Sequence, residues 1–269
     1  MTSHPFDVAV VGDNTLDRYL DEPEIGDLVG GNALNVAAQL AMAGLRVGYF
    51  GAVGDDDDAP VVRDAAEAAG IDIASLVTMP GTTALTTIRR SAEGDRSFET
   101  EEFGVTVEYF PDRDALATIA ASRWVHVGML RSAQLLGEAL AKLSDVPISQ
   151  DCSVSPDWRR LTVAFASAGE DADAAEQLVQ QMLAQGAETG VATIGSRGAL
   201  AGQGRRRWRA QPQPTEVVDT TGAGDALMAG YIAATLEGAT VDESLQAGVT
   251  RGSQVCQHLG GWPQLSAEA

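Results

Sequence analysis

The 269-residue chain has two cysteines, three histidines and, among its 18 basic residues, a single lysine, Lys142. Two cysteines, Cys152 and Cys256, exclude a disulfide framework, and no Cys-x-x-Cys or His-x-x-x-His pair offers a zinc site. Both thiols read as reduced and buried. The lone lysine excludes the Gly-Lys-Ser/Thr loop of Walker-type nucleotide binders, since Lys142 stands between Ala141 and Leu143. No apolar run approaches the roughly 20 residues that cross a bilayer, and the start, Met1-Thr-Ser-His-Pro, lacks the basic and apolar segments of a signal peptide. A cytoplasmic protein is expected.

Positive charge is scarce as well. With 38 acidic residues against 18 basic ones, the formal charge is −20. Such a polyanion repels nucleic acid and anionic membrane surfaces, so neither is expected as a partner. An anionic ligand would need a pocket built from backbone amides. Against these absences stand 45% hydrophobic residues and 29 glycines, ordinary for a packed globular enzyme, and a length that suits one large domain, residues 1–269.

Apolar runs and amphipathic segments alternate along most of the chain. Val8–Val11 reads as a buried strand and residues 32–43 as a helix ended by Gly44. Val47–Val53 is a strand, and the carboxylates Asp55–Asp58 precede a helix over 59–69, where its macrodipole favours them. From Trp124 the pattern predicts strands at 125–127, 148–151, 163–166 and 190–194, with helices at 135–143 and 172–184. Short strands at 199–201 and 205–209 precede a last strand at 216–219, then helices over 222–236 and 241–258. This is the order of a doubly wound, mainly parallel α/β sheet, with ligands at the carboxyl ends of its strands. Two stretches interrupt it: the Gly-rich, polar 13–31, and 82–102, which alternates like a half-exposed hairpin around Glu93-Gly94-Asp95.

The strongest chemical signal is Val217-Val-Asp-Thr-Thr-Gly-Ala-Gly-Asp-Ala226, a Gly-rich turn entering an apolar helix. A helix start offers unpaired amides and partial positive charge, and Gly222 and Gly224 permit close approach of a phosphate. A dinucleotide fingerprint is excluded, because Leu227 stands where its third glycine belongs. Asp225 is out of place in a phosphate cradle unless it takes a proton from an attacking hydroxyl; the alternative is a carboxylate that merely compensates the helix dipole. A second glycine pair, Gly30-Gly31, enters a helix with Asn32 and Asn35 three residues apart, placed to face a polyol. Gly12-Asp13-Asn14-Thr15-Leu16-Asp17 adds two carboxylates at the first strand's end. Amides and carboxylates without nearby cations suit a neutral polyhydroxylated ligand.

These motifs, with Thr193-Ile-Gly-Ser-Arg-Gly198, resemble the ribokinase-like (PfkB) carbohydrate kinases over almost the whole chain. The resemblance implies a kinase that uses ATP and Mg2+, with Asp225 as base and Gly222, Ala223 and Gly224 as its anion hole. Asp13, Asp17, Gly31, Asn32 and Asn35 would line the sugar site. Thr193, Gly195, Ser196, Gly198, Thr220, Gly222, Gly224 and Gly248 would line the nucleotide site. Residues 13–31 and 82–102 would form a β-sheet lid over the sugar, through which the chain pairs as a homodimer. Departures from the family pattern matter. Ser167 replaces the Asn of an Asn-x-x-Glu magnesium segment, leaving Glu170, and Asn32 stands where ribokinases commonly have Lys, which argues against ribose. Asp219 and Thr221 match a monovalent-cation (K+) site of some members. Within the family, Gly12–Tyr19, Val53–Asp56 and His258–Trp262 resemble fructoselysine 6-kinases most, which implies phosphorylation of a primary hydroxyl on a sugar or sugar–amino-acid adduct. A nucleoside kinase and a catalytically silent sensor of the same fold are the alternatives.

Overall fold

The computed structural model describes residues 4–20, 25–90, 96–153 and 159–264. In chain order it runs β1 (Val8–Val11), β2 (Thr15–Tyr19), β3 (Asp27–Gly30), α1 (Asn32–Met42), β4 (Val47–Val53), α2 (Ala59–Ala68) and β5 (Leu76–Thr78). The hairpin β6 (Leu85–Arg90) and β7 (Arg96–Glu102) leads to α3 (Arg113–Ala120), β8 (Val125–Val127), α4 (Ala133–Leu140), β9 (Ile148–Asp151) and β10 (Val163–Ser167). Then come α5 (Ala172–Ala184), β11 (Thr189–Thr193), β12 (Ala199–Gln203), β13 (Arg206–Ala210), α6 (Ala223–Leu236) and α7 (Val241–Val255).

Nine strands form one sheet in the order β13-β12-β11-β10-β9-β8-β1-β4-β5, parallel from β11 to β5 and antiparallel at β12 and β13. Alternate side chains of β1, an interior strand, go to opposite faces. Val8 and Val10 join a core with α1, α2, α6 and α7, whereas Ala9 and Val11 join a second core with α3 and α4. Helices therefore cover both faces, which is why these strands read as continuous apolar runs. The chain winds outward from β1 to β4 and β5, then returns to β8 on the other side of β1. The carboxyl ends of β1 and β8 are thus a topological switch point, the place where open α/β sheets bind ligands.

The two interrupting stretches come together as a separate four-stranded sheet, β3-β2-β6-β7. The expected hairpin is present as the antiparallel pair β6–β7, although its Glu93-Gly94-Asp95 turn lies outside the described residues. Strand β2 pairs in parallel with β6 and antiparallel with β3. The acidic run before α2 does more than complement a dipole. Asp55 accepts from the Gly81 amide, and Asp56 from the amide and hydroxyl of Thr83, so this run fixes the approach to β6. Asp58 and Asp27 together hold Arg18 of β2.

One expected strand is absent. Residues 216–219 join no sheet, and Val217 and Val218 are exposed. An apolar pair after Pro212 and Pro214 has too little to bury, and the Val218 and Asp219 amides donate instead to the Cys256 carbonyl at the end of α7. Both cysteines are free, Cys152 buried and Cys256 half-buried. Among the described residues no helix is long and apolar enough to cross a membrane.

Candidate active site

A cavity of about 440 Å³ opens at the switch point, between the end of β1, the start of α1, the small sheet and the turn before α6. Of the residues singled out in the sequence, Asp13, Asp17, Gly31, Asn32, Asn35, Thr220, Thr221, Gly222 and Asp225 all line it. The two glycine turns, almost 200 positions apart in the chain, face one another across it.

Local geometry explains the glycines. Gly31 has φ +102, and a Cβ there would come within 2.5 Å of the Asn14 Cα. Gly222 caps α6 with φ +73. The first amides of α6 have no carbonyl within the helix to accept them and stand at its positive end, as a phosphate requires. Asp219 shapes this turn, accepting from the Thr221 amide at 2.9 Å and the Gly260 amide at 2.8 Å.

Asp225, in the first turn of α6, is held from across the cavity. Asn32 Nδ2 donates to its Oδ1 at 2.7 Å, and Asn35 Nδ2 donates to its Oδ2 at 2.6 Å. The three-residue spacing of the asparagines thus serves the carboxylate, where a polyol had been expected. Asn32 also donates to Asp151 Oδ2 at 2.8 Å and accepts from the Met129 amide at 3.0 Å, which fixes its orientation. Burial pushes the Asp225 carboxyl up to about 8; the Asp151 and Asp13 carboxylates act in the same direction, and the two asparagine amides oppose them. A carboxyl poised near neutrality is suited to proton transfer.

Asp13 lines the cavity, but both its oxygens accept from the start of α1, Asn32 N at 2.8 Å and Ala33 N at 2.9 Å. Burial pushes its carboxyl up to about 6. Asp17, on β2, is buried in the wall beside Gly30.

The expected nucleotide residues fall in three places. Thr220 and Gly222 line the cavity, with Ala223 and Gly224 following in the first turn of α6. Thr193, Gly195, Ser196 and Gly198 lie at the carboxyl end of β11, outside the cavity. There Glu170 accepts from the Ser196 amide at 2.9 Å and its hydroxyl at 3.0 Å, and these bonds hold its carboxyl below the usual range. Gly248 sits in the α6–α7 contact, where a Cβ would come within 2.7 Å of the Leu227 carbonyl.

Sequence reasoning missed Asp151, Asn14, Thr86, Glu101, Glu102 and Met129. Asp151 ends the buried strand β9, a position that could have marked it. The two glutamates end β7 and line the cavity, which no local pattern announces. His126, assigned no role, is buried within the sheet beside Ser149, and burial pushes its imidazole down to about 3.

Known proteins agree with this architecture. The pattern of the pfkB family carbohydrate kinases matches residues 7–163 and 156–267. Fructoselysine 6-kinase of Shigella flexneri is 31% identical over 263 residues, covering 95% of this chain and 99% of the relative. A fructosamine kinase of Bacillus subtilis is 26% identical, covering 93% of this chain and 90% of the relative. The ribokinase of Arabidopsis thaliana, solved with ribose and ATP, superposes with a TM-score of 0.84 at 21% identity, covering 95% of this chain and 94% of that one. The chain belongs to the pfkB family of carbohydrate kinases and has the ribokinase fold.

Proposed function

We propose that this kinase transfers the γ-phosphoryl group of ATP to a primary hydroxyl of a fructosamine, a sugar–amino-acid adduct of the fructoselysine kind. The observation that carries the reading is the make-up of the cavity. Asp225 stands at the mouth of an anion-binding turn, and Asp13, Asp17, Glu101 and Glu102 line the rest, with no lysine or arginine among the described lining residues. Carboxylates accept from sugar hydroxyls and favour a cationic acceptor. A fructosamine joins a polyol to an ammonium group, and two of the similar proteins carry fructoselysine and fructosamine in their names.

In the reaction the acceptor hydroxyl gives its proton to Asp225 as its oxygen bonds to the γ-phosphorus. The bond from that phosphorus to the bridging oxygen breaks, and ADP leaves with the electron pair. Each Asp225 oxygen already accepts one amide hydrogen and retains a lone pair for the incoming proton. The α6 amides and dipole stabilise charge on the transferring group. Magnesium would arrive with the nucleotide rather than in an all-protein cage. Glu170, a single exposed carboxylate fixed by Ser196, is the residue that would hold it, and the metal's chemistry is neutralisation of phosphate charge.

A coupled ADP-release assay over free sugars, fructosamines and nucleosides tests the reading. Fructosamines are expected to give the highest kcat/KM. Preference for a nucleoside would overturn the acceptor, and no turnover with any of them would leave a silent protein.

A further inference from the structure

The last described residues cross the back of the site, and the chemistry above assigns them nothing. Trp262 is buried in the main core and anchors them to the large body. Leu259 packs against the small sheet's own cluster of Tyr19, Ile25, Leu28 and Ile88. Between these anchors, the Gly261 carbonyl accepts from Gln39 of α1 at 2.7 Å. Gly261 also lies against Asn35 and Gly222, so closely that a Cβ there would strike the Asn35 amide that holds Asp225.

Gln264 completes the crossing. Strand β3 is an edge of the small sheet, and an edge leaves a row of backbone groups to be covered. Gln264 Oε1 accepts from the Val29 amide at 2.7 Å, and Gln264 Nε2 donates to the Val29 carbonyl at 2.6 Å. One side-chain amide thus makes both bonds that a neighbouring strand would make to that residue. Val29 is almost fully buried with Gln264 in place. The next residues are Gly30, beside the Asp17 carboxylate, and Gly31, in the cavity wall.

We propose that Leu259–Gln264 is a strap, and that Gln264 is a positioning residue for the acceptor half of the site. By pairing with Val29 it fixes β3, and with it the wall of Asp17, Gly30 and Gly31, before the acceptor enters. The proposal rests on the reading that this cavity takes the acceptor. It places acceptor affinity partly under the control of a side chain that touches no substrate.

Gln264→Ala removes both bonds and Gln264→Glu keeps the length but loses the donor to the Val29 carbonyl. Steady-state kinetics with fructoselysine and ATP should show the fructoselysine KM rising about two- to tenfold in both variants, the amount one or two hydrogen bonds supply. The ATP KM and kcat should stay within about twofold, since α6 is not displaced. Amide hydrogen exchange at Val29 should quicken in both. An unchanged fructoselysine KM would overturn the proposal, and so would equal rises in both KM values, the mark of a damaged fold. A wild-type-like Gln264→Glu beside an impaired Gln264→Ala would also overturn it, because packing rather than strand pairing would then be responsible. Exchange at Val29 needs no acceptor, so a chain that phosphorylates no fructosamine would sink the acceptor reading while protection lost at Val29 still reported on the strap.

Discussion

Two glycine turns open two helices on opposite sides of one cavity, and their fates differ. At α1, the amides of Asn32 and Ala33 are taken by Asp13, a carboxylate from the end of β1, so the chain supplies its own anion. At α6, the carboxylate belongs to the first turn itself and is drawn across the cavity by Asn32 and Asn35. That leaves the α6 turn open for an anion from outside. Similar local sequence has produced one closed helix start and one open one, and a residue on a distant strand makes the difference. In the proposed reaction the closed start does the holding, and the open one does the chemistry.

The comparison breaks most sharply at Asp225. Asp225→Asn keeps the shape and removes the proton acceptor, so kcat should fall about 10²–10⁴-fold with nucleotide affinity held or slightly raised. Stability should move the other way. The carboxyl titrates near 3.8 when unfolded and is pushed up to about 8 when folded, so the folded state keeps a proton the unfolded chain releases. The Asp225 contribution to stability therefore falls as pH rises from about 4 to about 8, and the variant lacks that decline. Melting temperatures across this range, with kcat measured alongside, check both halves; a destabilised variant with near-normal turnover would make Asp225 a mere cap.

At the closed helix, the same kind of change should have the opposite signature. Asp13→Ala leaves one part-buried and one buried amide without their acceptor, at a cost of about 1–3 kcal/mol in urea unfolding. Turnover should fall only as far as Asn32 loses its place. A drop in kcat as deep as that of Asp225→Asn, without loss of stability, would mean that Asp13 acts on substrate directly.

The sequence made α6 legible and left α1 half read. Glycine at a helix start, an adjacent Asp and the absence of lysine are local facts, and they suffice to mark the α6 turn and Asp225 as candidates without a structure. The alternating strand and helix runs showed the large sheet for the same reason, since each element's period is written in its own residues. What Asn32 and Asn35 hold is set by Asp225, 193 and 190 positions away, and Asp151 joins them only because β9 ends beside β8. The 216–219 segment misled because Val217-Val218 has strand-like residues but no neighbour to pair with. β3 escaped because a short strand of Asp, Leu, Val and Gly draws its stability from β2 and Gln264.

Asp151 sharpens the comparison through charge. It shares the Asn32 amide with Asp225 and raises the pKa of that carboxyl. Because the base must be ionised, the acid limb of kcat/KM should lie near pH 8, with activity lost below it. Asp151→Asn removes one neighbouring negative charge, so the limb should move down by about half to one pH unit. A pH profile that stays put, or moves up, would show that burial alone sets the Asp225 value.

The smallest effect tests whether the α6 start is open in the sense that α1 is closed. An anion that binds only the folded state stabilises it by RT ln(1 + [L]/Kd), which is under about 1 kcal/mol at a few times Kd. Millimolar sulfate should therefore raise the melting temperature slightly, and Asp13→Ala should retain that gain. Gly224→Asp should abolish it. A Cβ at Gly224 meets no atom within 4 Å, so the substitution fits, and an acidic residue is favoured in a first turn. The new carboxylate would give α6 a resident anion, as Asp13 does for α1, and would raise the ATP KM while leaving the protein folded. If sulfate still stabilised Gly224→Asp as it does the wild type, the anion would be binding elsewhere, and the α6 turn could not be the phosphate site.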